Sequence, residues 1–425
     1  SGLITPSLEE MCTVASEMDR AGLTLPLLIG GATTSKVHTA VKIAPNYSGP
    51  TIHVVDASRA VGVAGGLVSD TQRTFLIERT IEEYETLRAN HAGKSARSER
   101  LSIAEARDRG HALDWVGYSP PTPQFLGTRL FADYPLDALV NRIDWTPFFR
   151  TWELAGTYPA ILDDDVVGEA ARQLFEDAQE LLGRVVEEGW LQACAVIGFF
   201  PANAVGDDVV VYSNDHRKDV TTRFHFLRQQ MNKREESANS CLADFIAPAD
   251  TGVADYIGGF AVTAGLGIEK HLETFRSNHD DYNDILLKSL ADRLAEAFAE
   301  QMHEQVRKEF WGYAGGESFT NAELIAESYQ GIRPAPGYPA CPDHSEKTIL
   351  FELLSATPNT GIALTESFAM LPAAAVSGFY LSHPEARYFG VGRIGKDQVT
   401  DYAARRQVDI ETAERWLAPN LGYTP

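Results

Sequence analysis

The sequence predicts two architectures in one chain: an α/β unit with parallel strands, then an α+β domain with a largely antiparallel sheet and long helices. Three observations support this prediction. The chain has 425 residues, which is enough for two or three domains. Strand and helix patterns alternate over residues 1–82, which favours parallel strands joined by helical crossovers. Later strand patterns are spaced irregularly between long helical stretches, which favours antiparallel pairing.

The first elements alternate because apolar residues recur first at helical spacing and then in short continuous runs. The predicted elements are a helix between Ser7 and Gly22, a strand at 25–29, a helix at 35–43, a strand at 51–55 and a helix that begins at Asp56. Two parallel strands bury too little surface to offset the conformational entropy of the chain. We therefore expect this unit to be half of a domain whose beginning lies upstream of Ser1.

A change in composition divides the chain. Residues 83–93 are rich in polar and charged side chains and predict a linker after the end of a helix. We therefore assign residues 1–82 to the first unit and residues 94–425 to the second domain.

The second domain combines strand-like runs with long amphipathic stretches. Strands are predicted at 194–200, 208–213, 242–247, 255–263, 374–381 and 387–394, and helices at 166–188, 282–311 and 397–417. Gly206-Asp207-Asp208 predicts a hairpin turn between the first two strands. In the helix at 282–311, the core stripe is expected to consist of Leu286, Leu290, Leu294, Phe298 and Met302.

Composition excludes several classes of function. The net charge of −22 argues against a nucleic-acid-binding surface, which needs positive faces. No apolar run is long enough to span a membrane. The four cysteines form no CxxC pair and the histidines form no cluster, so we expect no metal site, no disulfide framework and a cytoplasmic location.

Gly390-Val391-Gly392-Arg393-Ile394-Gly395 matches a dinucleotide-binding pattern but lacks its context. Too few residues follow Gly395 for a helix, a second strand and the acidic residue that binds ribose. Lys396 is followed by Asp397, where a phosphate-binding loop needs Ser or Thr. We interpret these glycines as strand-end residues.

Two segments have composition suited to ligand contact. Gly30 and Gly31 follow a predicted parallel strand, where small residues leave room for a ligand; the alternative is a tight turn. The segment 333–342 has four prolines in ten residues, which predicts a rigid loop. Its Arg333 is able to hold a carboxylate and its Tyr338 offers a stacking face, although a purely structural loop is the alternative.

Acidic residues supply candidates for binding a cation. In the helix at 282–311, Asp292, Glu296 and His303 share one face, within about 40° at 100° per residue. Paired carboxylates there suit an ammonium or sulfonium group, whereas the alternative is a solvated charged face. Asp144 precedes Trp145-Thr146-Pro147 and is either a further acid or a helix N-cap.

Several long motifs of the chain match a known family. Residues 1–5 (SGLIT) and 27–35 (LLIGGATTS) resemble the second half of the flavodoxin-like, Rossmann-like cobalamin-binding domain of the cobalamin-dependent methionine synthases. Four further segments resemble the activation domain of the same family: 144–149 (DWTPFF), the loop at 333–342, 364–370 (LTESFAM) and 416–423 (WLAPNLGY). The resemblance covers essentially the whole chain.

The resemblance implies two ligands and their contacts. Cobalamin would be contacted by Ser1, Thr5 and Ala57, with the Gly30-Gly31 crevice beside it. S-adenosylmethionine would have its carboxylate held by Arg333 and its ammonium end near Asp144 and Glu296. The residues implied along its adenosine and methionine parts are Ala335, Gly337, Tyr338, Tyr388 and Phe389, and Tyr338 is our candidate catalytic residue.

The implied activity is reductive remethylation. In the family, cobalamin carries a methyl group from methyltetrahydrofolate to homocysteine, and its oxidised form, cob(II)alamin, is returned to methylcobalamin with one electron and S-adenosylmethionine. The implied partners are a flavodoxin-like electron donor and the homocysteine, folate and upstream cobalamin modules of the enzyme. A basic strip for an acidic donor is one hypothesis, formed by Arg217, Lys218, Arg228, Lys233 and Arg234.

One departure from the family leaves alternatives open. The family's cobalt-ligating Asp-x-His-x-x-Gly motif is absent from this sequence, as are the modules that bind zinc with homocysteine and that bind folate. The chain is therefore either a fragment or one subunit of a split enzyme. Two rival functions are a non-catalytic cobalamin-binding or chaperone module and a different S-adenosylmethionine-dependent methyltransferase. The lack of a glycine-rich Rossmann loop before the acids weighs against the second.

Overall fold

The structure is a computed structural model that describes residues 6–30, 34–54, 57–69, 71–97, 100–234 and 237–425. It divides into two compact units, Ser1–Glu99 and Arg100–Pro425.

The described part of the first unit contains a two-stranded parallel sheet and helices. Strand β1 (Leu27–Ile29) pairs with β2 (Thr51–His53), with Leu27 opposite Thr51. The helices are α1 (Pro6–Arg20), α2 (Lys36–His38) with a π-helical continuation at Thr39–Ile43, α3 (Ala57–Val68) and α4 (Arg73–Arg97). The two strands run parallel, so the predicted parallel pairing is confirmed. Parallel neighbours need a crossover connection, and the helical segment between them supplies it.

The core of the first unit is small. Ala15, Ile29, Ile43 and Tyr47 form a buried cluster. The Tyr47 hydroxyl donates to the carbonyl oxygens of Leu23, at 3.0 Å, and Leu25, at 2.6 Å, and so fixes the chain that leads into β1. That the unit belongs to a flavodoxin-like domain stays a prediction.

Residues 83–93, which composition assigns to a linker, lie inside helix α4. Charged side chains at these positions suit a solvated helix as well as a linker, so composition alone does not separate the two. The domain boundaries at 82 and 94 stay a prediction.

The second unit is built on a mixed architecture with an antiparallel six-stranded sheet, as predicted. The order is β10-β7-β4-β5-β6, and β3 pairs with β4 as well. The strands are β3 (Gly127–Tyr134), β4 (Gln192–Val205), β5 (Asp208–Tyr212), β6 (Val220–His225), β7 (Asp255–Leu266) and β10 (Ala375–Tyr380). A separate short pair consists of β8 (Ala363–Leu364) and β9 (Met370–Leu371).

The central strands are buried on both faces. On β4, Ile197 and Phe199 belong to the hydrophobic cluster that contains the long helices, whereas Val196 belongs to the cluster on the opposite face. Successive side chains of a strand point to opposite faces, so one continuous apolar run supplies both cores. This burial explains why these strands lack an alternating polar pattern.

Helices cover both faces of the sheet. They are α5 (Ile103–Asp108), α6 (Asp137–Val140), α7 (Trp145–Thr151), α8 (Gly168–Glu187), α9 (Ile268–Ser277), α10 (Asp281–Gln305), α11 (Asn321–Ile325), α12 (Glu346–Leu354), α13 (Ala356–Thr360), α14 (Lys396–Arg406) and α15 (Ile410–Trp416). Helix α10 continues into a π-helical turn at Val306–Phe310. All five side chains predicted for its core stripe are buried, so that prediction is confirmed.

Three predicted elements are wrong. Residues 242–247 contain a 3₁₀-helix, Leu242–Phe245, whose apolar side chains are buried, and the segment meets strand β4 only at its end, where the Ala247 carbonyl oxygen accepts from the Ala204 amide at 3.0 Å. Residues 387–394 form no strand, since Val391 and Ile394 donate to the carbonyl oxygens of Pro339 and Asn420 in neighbouring loops. The helix predicted at 397–417 is two helices, α14 and α15. Strands β3 and β6 were not predicted.

One member of the predicted basic strip, Arg228, does not lie at the surface, whereas Lys218 and Arg234 are exposed. Arg228 is 4% exposed and pairs with Asp207 and Asp244, at 2.7 and 2.6 Å. Its charge is neutralised inside the domain, so this residue cannot attract an acidic partner. Across the described ranges, no helix has the length and apolar content needed to cross a membrane.

Candidate functional site

A cavity of about 450 Å³ lies beside edge strand β10, where helix α10 and the proline-rich loop meet the sheet. Its wall includes most of the residues that were predicted to bind S-adenosylmethionine in the second domain. The lining residues are Phe260, Glu296, Glu327, Arg333, Pro334, Ala335, Tyr338, Pro339, Ala340, Val376, Tyr388 and Phe389.

Backbone hydrogen bonds hold the proline-rich loop on both sides of the cavity. Ile332 and Leu381 exchange hydrogen bonds of 3.0 Å, and the Phe379 amide donates to the Pro334 carbonyl oxygen at 2.8 Å. Further along, the Val391 amide donates to the Pro339 carbonyl oxygen at 2.8 Å. Prolines fix φ, so the loop presents its side chains without a large ordering cost on binding.

Two glycines permit this arrangement. A Cβ on Gly378 of β10 would lie 2.6 Å from the Pro334 carbonyl oxygen, so only glycine allows the loop to approach the strand so closely. Gly337 has φ of +96°, a conformation that side chains disfavour, and a Cβ there would meet the His344 ring. The loop therefore needs a glycine at position 337, within the loop, and another at position 378, in the strand on which the loop packs.

Arg333 is fixed at one end of the cavity. Its Nη1 lies 2.7 Å from Glu300 Oε2, donates to the Tyr329 hydroxyl at 2.7 Å and lies 3.3 Å from His303 Nδ1. The backbone amide of Arg333 donates to the Tyr388 hydroxyl at 3.0 Å. Each hydrogen bond and ion pair that the described residues make to the Arg333 guanidinium involves Nη1, and none of them uses Nε or Nη2.

Two carboxylates line the same cavity. Burial raises the pKa of Glu296, and the nearby cations Arg293 and Arg333 act in the opposite direction. Burial also raises the pKa of Glu327, again opposed by Arg333. Both carboxylates are held at a cost in desolvation, and a ligand cation would relieve that cost.

Aromatic side chains complete the wall. Tyr338 is 56% exposed, and its pKa is raised by partial burial and by the carboxylates of Glu296 and Asp292, so its phenol is neutral at pH 7. Tyr388 and Phe389 line the same cavity. Such rings offer flat surfaces on which a heteroaromatic group can stack.

The structure brings together six of the eight residues predicted to bind S-adenosylmethionine, namely Glu296, Arg333, Ala335, Tyr338, Tyr388 and Phe389. Gly337 lies in the same loop. Asp144 does not line the cavity: it caps helix α7, where its carboxylate accepts from the Thr146 amide at 3.0 Å. The N-cap alternative therefore describes its observed contact.

Sequence reasoning missed three residues of the site. Glu300 lies one turn after Glu296 on helix α10, about 40° away on the same face, so the helical spacing was sufficient to find it. Glu327 and Tyr329 lie in an irregular segment after α11, where periodicity carries no signal.

The residues predicted to contact cobalamin belong to the first unit. Ser1, Thr5 and Gly31 lie outside the described residues. Gly30 follows β1, and a Cβ on it would lie 3.0 Å from the Val54 carbonyl oxygen, so packing against the chain after β2 already disfavours a larger residue. Ala57 begins helix α3. The cobalamin site stays a prediction.

The fold and the cavity define the second unit as an α+β domain with a charged, aromatic-lined cavity at the edge of an antiparallel sheet. The family model described as the activation domain of vitamin B12 dependent methionine synthase matches residues 135–407. That match covers more than half of the chain, so the chain belongs to this family. The chain is also similar to the MetH reactivation domain, whose crystal structure was solved bound to AdoHcy (S-adenosylhomocysteine). The TM-score is 0.75 and the identity 53%, over 76% of this chain and 99% of that chain.

Proposed function

We propose that the cavity binds S-adenosylmethionine and its product AdoHcy, and that the chain serves the reductive remethylation of cobalamin in a methionine synthase. One observation carries this proposal: a single cavity combines two carboxylates, aromatic rings and an arginine whose Nε and Nη2 have no hydrogen-bond or ion-pair partner among the described residues. The similar MetH domain, which binds AdoHcy, supports the same ligand class. In this assignment the chain is the reactivation part of a methyltransferase.

Each group of residues has a role in holding the ligand. Arg333 binds the carboxylate through Nε and Nη2, in the two-point geometry that guanidinium favours. Glu296 and Glu327 face the ammonium and the sulfonium, and Tyr388 and Phe389 flank the adenosine. Asp144 stays a prediction of the family resemblance, as a further acid near the ammonium.

The chemistry needs orientation more than covalent participation by the protein. When bound, cobalamin supplies the nucleophile that accepts the methyl group. Tyr338 lies on the cavity and is partly exposed, so we assign it the contact with the reacting end of the ligand. The S–methyl bond breaks, and the neutral thioether of AdoHcy no longer pairs with the second carboxylate, which favours product release.

The remaining parts of the proposal come from the family. We propose a cytoplasmic enzyme in which a flavodoxin-like donor supplies the electron and other modules bind homocysteine, folate and cobalamin. No described residues form a group of histidine, cysteine and carboxylate side chains suited to a metal ion.

Titration calorimetry of the full chain tests the proposed ligand. We expect both S-adenosylmethionine and AdoHcy to bind with one site per chain, and adenosine alone to bind more weakly because it cannot use Arg333. Equal affinity for adenosine and AdoHcy would contradict the assignment of the two ends of the cavity.

Replacing Glu296 with Gln should change how S-adenosylmethionine affinity depends on pH. A carboxylate whose pKa is raised loses its charge at a higher pH than usual, so affinity should fall as the pH is lowered, and the fall should begin at a higher pH than for an ordinary glutamate. The variant should bind about tenfold more weakly at neutral pH and show a flatter pH profile. We expect a smaller loss than for Arg333→Ala, because Glu327 shares the positive charge of the ligand.

Calorimetry from pH 5.5 to pH 8 measures this effect. Asp292→Asn is the control for charge: Asp292 lies one turn earlier on helix α10, is half exposed and does not line the cavity. Its carboxylate raises the pKa of Glu296, so its loss should move the pH profile to lower pH without flattening it. AdoHcy should respond less to pH than S-adenosylmethionine because it lacks the sulfonium charge. Identical pH profiles for Glu296→Gln and the unmodified chain would rule out the role of Glu296.

A further inference from the structure

Behind Arg333 lies a buried group of polar side chains that the ligand contacts do not explain. We call Glu300, His303 and Tyr329 the positioning cluster. Glu300 is 7% exposed, His303 is fully buried, and Tyr329 is 9% exposed. All three contact the same nitrogen of Arg333, Nη1.

His303 is present in one protonation state. A guanidinium has only donors, so the 3.3 Å contact requires His303 Nδ1 to be the acceptor and places the ring proton on Nε2. Burial lowers the pKa of His303 far below its usual value, and the cations Arg307 and Arg333 lower it further. The ring is therefore neutral, which suits an acceptor between two arginines.

The histidine is held at a cost to stability. Its Nε2–H is buried and has no hydrogen-bond partner among the described residues. An unpaired buried donor is unfavourable, and an apolar side chain of similar size would avoid the loss. The ring stacks on Tyr380, with centroids 5.3 Å apart, and meets Tyr329 edge-on at 4.9 Å. Packing alone does not require a histidine there.

A chain of alternating charges anchors the cluster from behind. Arg307 is fully buried and pairs with Glu317 at 2.7 Å, while its Nη1 lies 3.7 Å from Glu300 Oε1. The Arg307 guanidinium also lies 4.0 Å from the centre of the Tyr329 ring. Glu300 and Tyr329 are thus held by Arg307 as well as by Arg333.

We propose that His303, with Glu300 and Tyr329, is a positioning residue: it holds Nη1 of Arg333 so that Nε and Nη2 face the ligand carboxylate. This inference rests on the proposed function, because it assumes that Arg333 binds a carboxylate. It predicts that the cluster selects for ligands that carry this group. A flexible arginine would bind the same carboxylate after losing more side-chain entropy.

Two variants and two ligands test the proposal in the full chain. His303→Leu removes the acceptor, whereas His303→Asn keeps one near the position of Nδ1. The ligands are AdoHcy and S-adenosyl-3-thiopropylamine, which is AdoHcy without its carboxylate. We expect His303→Leu to weaken AdoHcy binding about tenfold, to leave the affinity for the amine unchanged and to preserve or raise thermal stability. His303→Asn should recover most of the AdoHcy affinity.

Other outcomes would overturn the proposal. Equal losses for both ligands would mean that His303 only maintains the shape of the cavity, and no loss would mean that it does not position Arg333. Failure of His303→Asn to recover affinity would rule out the acceptor role. If His303→Leu does not fold, Tyr329→Phe, which removes only a hydroxyl, should give the same ligand-selective loss. If the unmodified chain binds neither ligand, the proposed function itself is wrong and this inference falls with it.

Discussion

Replacing Arg333 with Ala should reduce the affinity for AdoHcy at least about thirtyfold, which corresponds to about 2 kcal/mol or more. The reason is that the substitution removes the cation for the ligand carboxylate and also leaves Glu300, 7% exposed, with only the more distant Arg307. The neutral variant therefore loses a contact and keeps a buried anion. Calorimetry with AdoHcy measures the loss.

Two controls make this result specific. Arg333→Lys keeps the charge but not the two-point geometry, so its affinity should fall between those of the alanine variant and the unmodified chain. Arg387→Ala removes an exposed cation that does not line the cavity, and it should bind AdoHcy normally. A thermal unfolding curve confirms that each variant is folded. Undiminished affinity in Arg333→Ala would refute the assignment of the carboxylate end.

The sequence predicted the fold well where burial of one face makes apolar residues recur at a regular spacing. Helix α10 keeps one apolar stripe over 25 residues, so both its extent and its buried face could be read from spacing. The proline-rich loop could be predicted because proline restricts the backbone wherever it occurs. The same two elements supply Glu296 and Arg333, and for this reason half of the site was accessible without a structure.

The errors arose where a residue's role depends on contacts distant in the chain. The apolar run at 242–247 is buried like a strand, but most of it forms a 3₁₀-helix that packs into the core, and only Ala247 bonds to the sheet. The segment at 387–394 bonds to loops, and no local pattern indicates such partners. Strand β3 is largely exposed, so it lacked the apolar signal of the central strands.

The prediction that Arg228 belongs to a basic surface strip was wrong because its partners are also distant in the chain. Sequence shows that Arg228 is basic but not whether it faces solvent. In the structure its guanidinium donates to Asp207 Oδ1 at 2.8 Å, to both oxygens of Asp244 at 2.9 and 2.6 Å, and to the Asn239 carbonyl oxygen at 2.8 Å. Arg228 therefore joins the turn after β4 to the segment that contains Leu242–Phe245.

Replacing Arg228 with Ala should lower the free energy of unfolding of the second unit by about 3–5 kcal/mol. The substitution leaves Asp207, which is 1% exposed, and the largely buried Asp244 without that cation. Asp207 still contacts Arg107, at 2.8 Å, so the lower end of the range is expected if that side chain takes over part of the pairing. Urea unfolding followed by tryptophan fluorescence measures the change.

Arg184→Ala is the matched control, because Arg184 pairs with Glu188 at 3.6 Å while both side chains are about half exposed. Water already solvates both members of such a pair, so its loss should lower the free energy of unfolding by less than about 1 kcal/mol. Equal effects of the two substitutions would mean that Arg228 is solvated in solution, which would restore it as a candidate for contact with an acidic electron donor. A much larger effect of Arg228→Ala than of Arg184→Ala would show that Arg228 pairs with its carboxylates in the interior of the unit. Contact with an acidic electron donor would then depend on other cations.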